Sequence, residues 1–200
     1  MDKKVAILGL FTLAAFYGYS QTPYGIKSCK IEFVFSNGLQ KGTKIIIFTD
    51  SGRLEREEGT SSFDTSVSIS FRQNLQGHGI IMHYLRIQTR DSVYSFDLDS
   101  MSGSRKARFK ERRMSKDWSQ GGENDTLLGK ICTVKDLPPL KLWYWKGILL
   151  KRERTPLSYP PPFTEYEYAT EIDEDYVIKP DEFAIPMNIK WHRALEEVSW

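Results

Sequence analysis

Apolar and polar side chains alternate with a period of two along most of this chain, the pattern of strands that turn one face to a core. In 26–36 the apolar positions are Ile31, Phe33 and Phe35, and Asn37-Gly38 follows as a hairpin turn signal. Ile45, Ile46, Ile47 and Phe48 form the next run, which Asp50-Ser51-Gly52 ends, and 53–58 continues as a more polar, exposed strand. Val67, Ile69 and Phe71 alternate with serines, then Gln76-Gly77-His78-Gly79 interrupts the chain before 80–89. After Asp91-Ser92, Tyr94, Phe96 and Leu98 share a face. Strands resume at 129–135, and 141–145 pairs with 148–153 around Lys146-Gly147, with Trp143 and Trp145 on one face. Beyond a proline-rich loop, 163–173 places Tyr166, Tyr168, Thr170 and Ile172 together.

The stretch 99–124 breaks this rhythm. Arg105, Arg108 and Arg112 recur at helical spacing with Phe109, Met114 and Trp118 as a partial apolar face, which predicts a short helix or ordered lid. Residues 179–186 read as an irregular tail anchored by Phe183 and Ile185, and 188–200 as a small amphipathic helix. The sum is roughly nine or ten antiparallel strands in one sheet, and a sheet that wide curls or splits. The fold class expected is mainly β (α+β), a strongly curved antiparallel sheet with a short helical lid.

The N-terminus bears on where such a sheet works. Asp2, Lys3 and Lys4 precede an apolar run of about 13 residues, roughly 20 Å as a helix, and Gly18 and Ser20 are small residues before Gln21. This is the layout of a secretory signal peptide over 1–20, too short to span a bilayer core of about 30 Å comfortably; an uncleaved anchor is the alternative. The expectation is an exported, periplasmic protein with one domain over 21–200. The formal charge is only +2, which argues against the basic field of a nucleic-acid binder. Cys29 and Cys132 are the two cysteines. In an oxidising envelope they would either form a disulfide, worth up to about 4.7 kcal/mol in the chain-entropy picture, or stand as separate buried thiols.

Candidate chemistry is sparse. His78 and His83 are five apart, so on one strand they face opposite ways, and His192 stands alone; exposed histidines are a better reading than a zinc site. Glu171, Asp173, Glu174 and Asp175 lack the ligand spacing of a calcium loop and read as a solvated strand end. No nucleophile elbow is present, and no cofactor is expected. The basic run Arg105, Lys106, Arg108, Lys110, Arg112, Arg113 and Lys116 fits either docking on anionic lipid or an acidic partner, or a charged face that keeps the chain soluble. The aromatic pairs Phe33 and Phe35, Tyr94 and Phe96, Trp143 and Trp145, and Tyr166 and Tyr168 either line one apolar cavity or fill a core.

One order of features reaches beyond such generalities. Gly129-Lys130-Ile131-Cys132-Thr133-Val134 precedes Leu142-Trp143-Tyr144-Trp145-Lys146-Gly147-Ile148-Leu149-Leu150-Lys151. Ala169-Thr170-Glu171-Ile172 and Ile178-Lys179-Pro180-Asp181-Glu182-Phe183-Ala184-Ile185-Pro186 follow, and Tyr94-Ser95-Phe96-Asp97-Leu98 lies upstream. This series resembles the exported LolA-like lipoprotein-carrier superfamily, especially its branch in envelope proteins of Bacteroidetes-type bacteria. The resemblance implies an unclosed half-barrel whose concave apolar face, under a helical lid, accepts acyl chains or lipids. No ligand-contacting arginine of the family maps onto a residue of this chain. The expected function is thus a non-enzymatic carrier or binding protein for a lipid, acyl chain or other apolar ligand. An envelope protein–protein interaction module with a filled core is the second reading, and an enzyme the third.

Overall fold

The computed structural model describes residues 24–36, 40–63, 81–108, 122–155 and 165–193. Among them the chain runs through β1 (Cys29–Ser36), β2 (Gln40–Thr49), β3 (Leu54–Phe63), β4 (Ile81–Gln88), β5 (Ser92–Asp97) and β6 (Ser102–Ala107). It continues through β7 (Glu123–Leu127), β8 (Lys130–Leu137), β9 (Leu140–Trp145), β10 (Ile148–Arg154), β11 (Glu165–Asp173) and β12 (Lys190–Arg193). All twelve belong to one open sheet in the order β12-β6-β5-β4-β3-β2-β1-β11-β10-β9-β8-β7. Two antiparallel meanders, β1–β6 and β7–β11, therefore meet where β11 lies against β1. β12 pairs parallel to β6, unlike the other neighbours.

The turns follow from backbone conformation. Leu128-Gly129 and Lys146-Gly147 link their strands with positive φ at both central residues (52° and 72°, 48° and 82°). That is the mirror-image turn whose twist matches a hairpin. Asp50, Ser51 and Gly52 also hold positive φ, and together they form a single 3-10 turn between β2 and β3.

Partners across a ladder share a face of the sheet. Through β1–β4 one face carries the row Ile31, Ile46, Glu57 and Arg86, and the row Phe33, Lys44, Gly59 and Tyr84. The opposite face carries Glu32, Ile45, Glu58 and Leu85, continued by Phe96 and Gly103. Apolar side chains thus change face along the sheet. On β1 and β2, Cys29, Ile31, Phe33 and Phe48 join the larger core, which also holds Cys132, Val134, Trp143, Trp145, Ile148, Leu150 and Ala169. On β4 and β5, Leu85, Ile87 and Phe96 form a second cluster with Tyr94, Leu98 and Ile189. The strand between, β3, presents Glu55, Glu57, Gly59 and Ser61 on one face and Arg56, Glu58, Thr60 and Ser62 on the other.

Several expectations are corrected. Arg105 and its neighbours lie on β6, so the arginine spacing does not mark a helix there, and no helical lid is present among the described residues; 109–121 falls outside them. Within the 188–200 expected as a helix, Lys190–Arg193 is a strand, since Lys190 N–H donates to Met101 O and the segment docks on the β6 edge; 194–200 lies outside the described residues. β3 is longer than 53–58 and its Glu55 and Glu57 are partly buried rather than exposed. A bulge in the β1–β11 ladder pairs Glu32 with Glu171 but Phe33 with Ala169, so Ile172 faces opposite to Tyr166 and Tyr168. The strand expected at Val67, Ile69 and Phe71 lies outside the described residues, as does 1–20.

Candidate functional site: a cleft beside an enclosed ion cluster

The face of β1–β5 that bears Phe33 and Tyr84 holds a cleft of about 380 Å³, lined by Phe35, Gln40, Ser61, Met82, His83, Tyr84, Phe96 and Asp97. Two glycines shape its floor. Gly42 pairs with both Phe35 and Ser61, and Gly59 with both Lys44 and Tyr84. A Cβ on Gly59 would stand 2.6 Å from the Tyr84 hydroxyl oxygen and 2.8 Å from Thr43 O. A Cβ on Gly42 would stand 3.0 Å from Cζ of Phe35. Both aromatic rings therefore fold across backbone that has no side chain, as aromatic neighbours of strand glycines do.

Beside the cleft, in the ladder row of Gly59, Tyr84 and Asp97, stands Lys44. Its ammonium lies 2.9 Å from Glu167 Oε1 and 3.7 Å from Glu57 Oε2, and 5.4 Å from the centre of the Phe33 ring. Lys44, Glu57 and Glu167 expose only 12%, 16% and 13% of their side chains. An enclosed lysine between two carboxylates is fully engaged as a charge and needs both to offset its lost hydration. Arg152, half-exposed, adds a contact of 3.1 Å to Glu167. Tyr84 is hydrogen-bonded to Glu57, and burial, then the Glu57 charge, push its phenol well above the ordinary tyrosine range. The hydroxyl accordingly stays protonated, its one hydrogen donated to Glu57.

The aromatic residues singled out in the sequence do not share one concavity. Phe35 lines the cleft. Phe33, Trp143 and Trp145 are buried in the larger core, where the Trp143 indole N–H donates to Asp125 Oδ2 at 2.8 Å. Lys141 and Lys151 sit over the Trp143 ring, and Lys130 and Lys146 over that of Trp145. Tyr94 and Phe96 belong to the second cluster on the opposite face, where the Trp191 ring meets both edge-on; Phe96 is also among the residues bordering the cleft. Tyr166 and Tyr168 are exposed, their ring centres 5.8 Å apart.

Of the basic run, Arg105 and Lys106 are exposed on β6, and the Arg105 guanidinium bonds Ser92 Oγ and lies over Tyr94. Arg108 is half-buried and donates to Thr89 O; Lys110, Arg112, Arg113 and Lys116 lie outside the described residues. Cys29 and Cys132 are unbridged in this structure and buried in the same core. Burial, then the Glu174 and Asp173 charges, push the Cys29 thiol up to about 11; burial also raises Cys132. Neither thiol is poised as a nucleophile. His83 Nδ1 lies 2.6 Å from Asp99 Oδ1 at the surface, and His192 is exposed. Glu174, from the acidic strand end, pairs with Lys130 and Lys146. Among the described residues no three His, Cys, Asp or Glu side chains are grouped to hold a metal ion, and no helix is long and apolar enough to cross a membrane.

Sequence reasoning missed Lys44, Glu57, Glu167 and Tyr84. The available signal was charged residues at inward positions of strands: Lys44 two places before Ile46, Glu57 and Gly59 on a strand read as exposed.

No protein-family model matches the chain, and no curated protein does. The fold itself has a counterpart. The crystal structure of an uncharacterized conserved protein from Thermus thermophilus superposes with a TM-score of 0.51 at 8% identity, covering 84% of this chain and 90% of that one. At that identity the likeness concerns the fold alone.

Proposed function

We propose that this protein is a non-enzymatic binding or carrier protein for a lipid, acyl chain or similar amphipathic ligand, exported by a signal peptide over 1–20. In this reading the open sheet is a LolA-like half-barrel, and the face bearing Phe33 and Tyr84 is its concave side. The observation that carries the reading is the cleft of about 380 Å³ lined by Phe35, Met82 and Tyr84 among a few polar groups. Its size lies within the roughly 300–1,000 Å³ of ligand pockets, and its mix of apolar wall and sparse polar atoms is theirs too. An apolar chain placed there gains about 0.8 kcal/mol for each CH2 removed from water. Exposed Arg105 and Lys106 would offer cations to anionic head groups.

Native mass spectrometry of the protein purified without detergent, followed by organic extraction, tests this. A bound species that extracts as lipid is expected, lost in Met82→Trp, which fills the cleft, and kept in Met82→Leu. A ligand-free mass that stays unchanged after incubation with membrane lipids would refute it. The second reading, an envelope interaction module, draws on Leu128, Ile131 and Leu137, exposed by 44%, 72% and 46% around β8. It expects that ligand-free mass together with a defined partner in envelope extracts.

A further inference from the structure

The cleft carries a fixed charge of one sign. Asp97 lines it, and the carboxylate accepts N–H bonds from Asp99 at 2.9 Å and Ser100 at 3.1 Å, donors that hold it in place as an anion. The other polar side chains of the wall, Gln40, Ser61 and Tyr84, are neutral hydrogen-bonding groups. His83 is tied by its ring to Asp99. Lys44, the cation of the same ladder row, does not offset Asp97, because Glu57 and Glu167 already enclose its ammonium. A ligand entering with its apolar part on Phe35 and Met82 therefore brings its polar end towards a carboxylate, with no unengaged cation among the described lining residues.

Resting on the binding reading above, we infer that the cleft discriminates between amphiphiles by head-group charge. It takes those ending in an ammonium group in preference to those ending in a carboxylate, with neutral alcohols between. The physical basis is simple. The apolar part supplies affinity without regard to charge, and like charge placed against Asp97 is repelled where opposite charge is attracted. Because Asp97 is exposed, the preference is screened by salt.

Three probes of equal chain length test it on the full protein: dodecylammonium, dodecanol and dodecanoate, each titrated by calorimetry below its aggregation concentration. At low ionic strength the ammonium probe is expected to bind about tenfold more tightly than the carboxylate. The gap should shrink in about 0.5 M salt and collapse in Asp97→Asn. Equal binding of all three, tighter binding of dodecanoate, or a preference that survives Asp97→Asn would overturn the inference and leave the binding reading standing. Failure of every probe to bind would overturn both.

Discussion

Glu55 shows how a single inward carboxylate records what the fold demands. It faces the larger core side of β3, opposite Phe48, and accepts a 2.8 Å hydrogen bond from the Tyr24 hydroxyl, whose ring packs on Phe48. Burial raises its pKa, the Tyr24 bond opposes that, and the neighbouring Glu57 charge adds to the rise. A carboxyl whose pKa is higher in the folded than in the unfolded chain favours folding below its ordinary value, and this contribution disappears as pH rises through the raised one. Glu55→Gln keeps an acceptor for Tyr24 and removes the charge. It should be more stable than the parent by roughly 1 kcal/mol at about pH 8, with the difference vanishing towards about pH 4, as read by urea unfolding at both pH values. A variant weaker than its parent at the higher pH would mean that Arg86 and Arg108 hold the charge more firmly than burial opposes it. Such residues were hard to read from sequence, because a glutamate between polar neighbours looks solvated whichever way its strand faces. Gly42 and Gly59 were similarly silent: their meaning depends on Phe35 and Tyr84 lying across them, which requires the register.

At the scale of elements, alternation and turn chemistry located most strands, including β1, β2, β4, β5 and the Lys146-Gly147 hairpin. It failed where a strand owes its existence to a neighbour. β7 contains Glu123, Asn124, Asp125 and Thr126, all exposed, and is held by pairing with β8. β12 likewise forms on the edge that β6 offers. Alternation also misled at β11, where the extra residue Thr170 turns Ala169 and Ile172 to the same side, so both pack in the larger core. Thr170 itself is exposed and its hydroxyl donates to Glu32 O at 3.2 Å. Thr170→Ala should cost no more than about 1 kcal/mol, the worth of one exposed hydrogen bond. Deleting the residue removes the bulge but leaves Phe33 opposite Ala169 and Glu32 opposite Glu171, so Ala169 and Ile172 keep the core face and the loss should again be modest. Thermal melting of both variants checks this, and a far larger loss on deletion would mean that the bulge itself is needed to hold β11 on β1.

The whole molecule joins two cores of unequal size on opposite faces of one sheet. The larger spans β1, β2 and β8–β11, while the second is built on Leu85, Ile87 and Phe96 and completed by Ile189. Small apolar clusters open at lower free energy than large ones. Amides of β4–β6 should therefore exchange hydrogen through partial opening, ahead of those in β1, β2 and β11, which await global unfolding. Uniform exchange across the sheet would contradict this division. The tail beyond β11 is part of the second core's cover. Arg56 donates to Glu182 O at 2.7 Å and Tyr176 to Glu182 Oε2 at 2.9 Å as the chain travels from the middle of the sheet to its edge. The seam between the meanders has a further consequence for how the protein is made. Glu32 pairs with Glu171, and the Thr170 hydroxyl reaches Glu32 O across 138 positions of sequence. As the chain is synthesised, β1 waits with an open edge until β11 has emerged, so the centre of the finished sheet is among its last parts to assemble. A chain of this topology folds slowly and carries an adhesive strand edge while it does so, and its surroundings must keep β1 apart from other copies of itself until the second meander arrives.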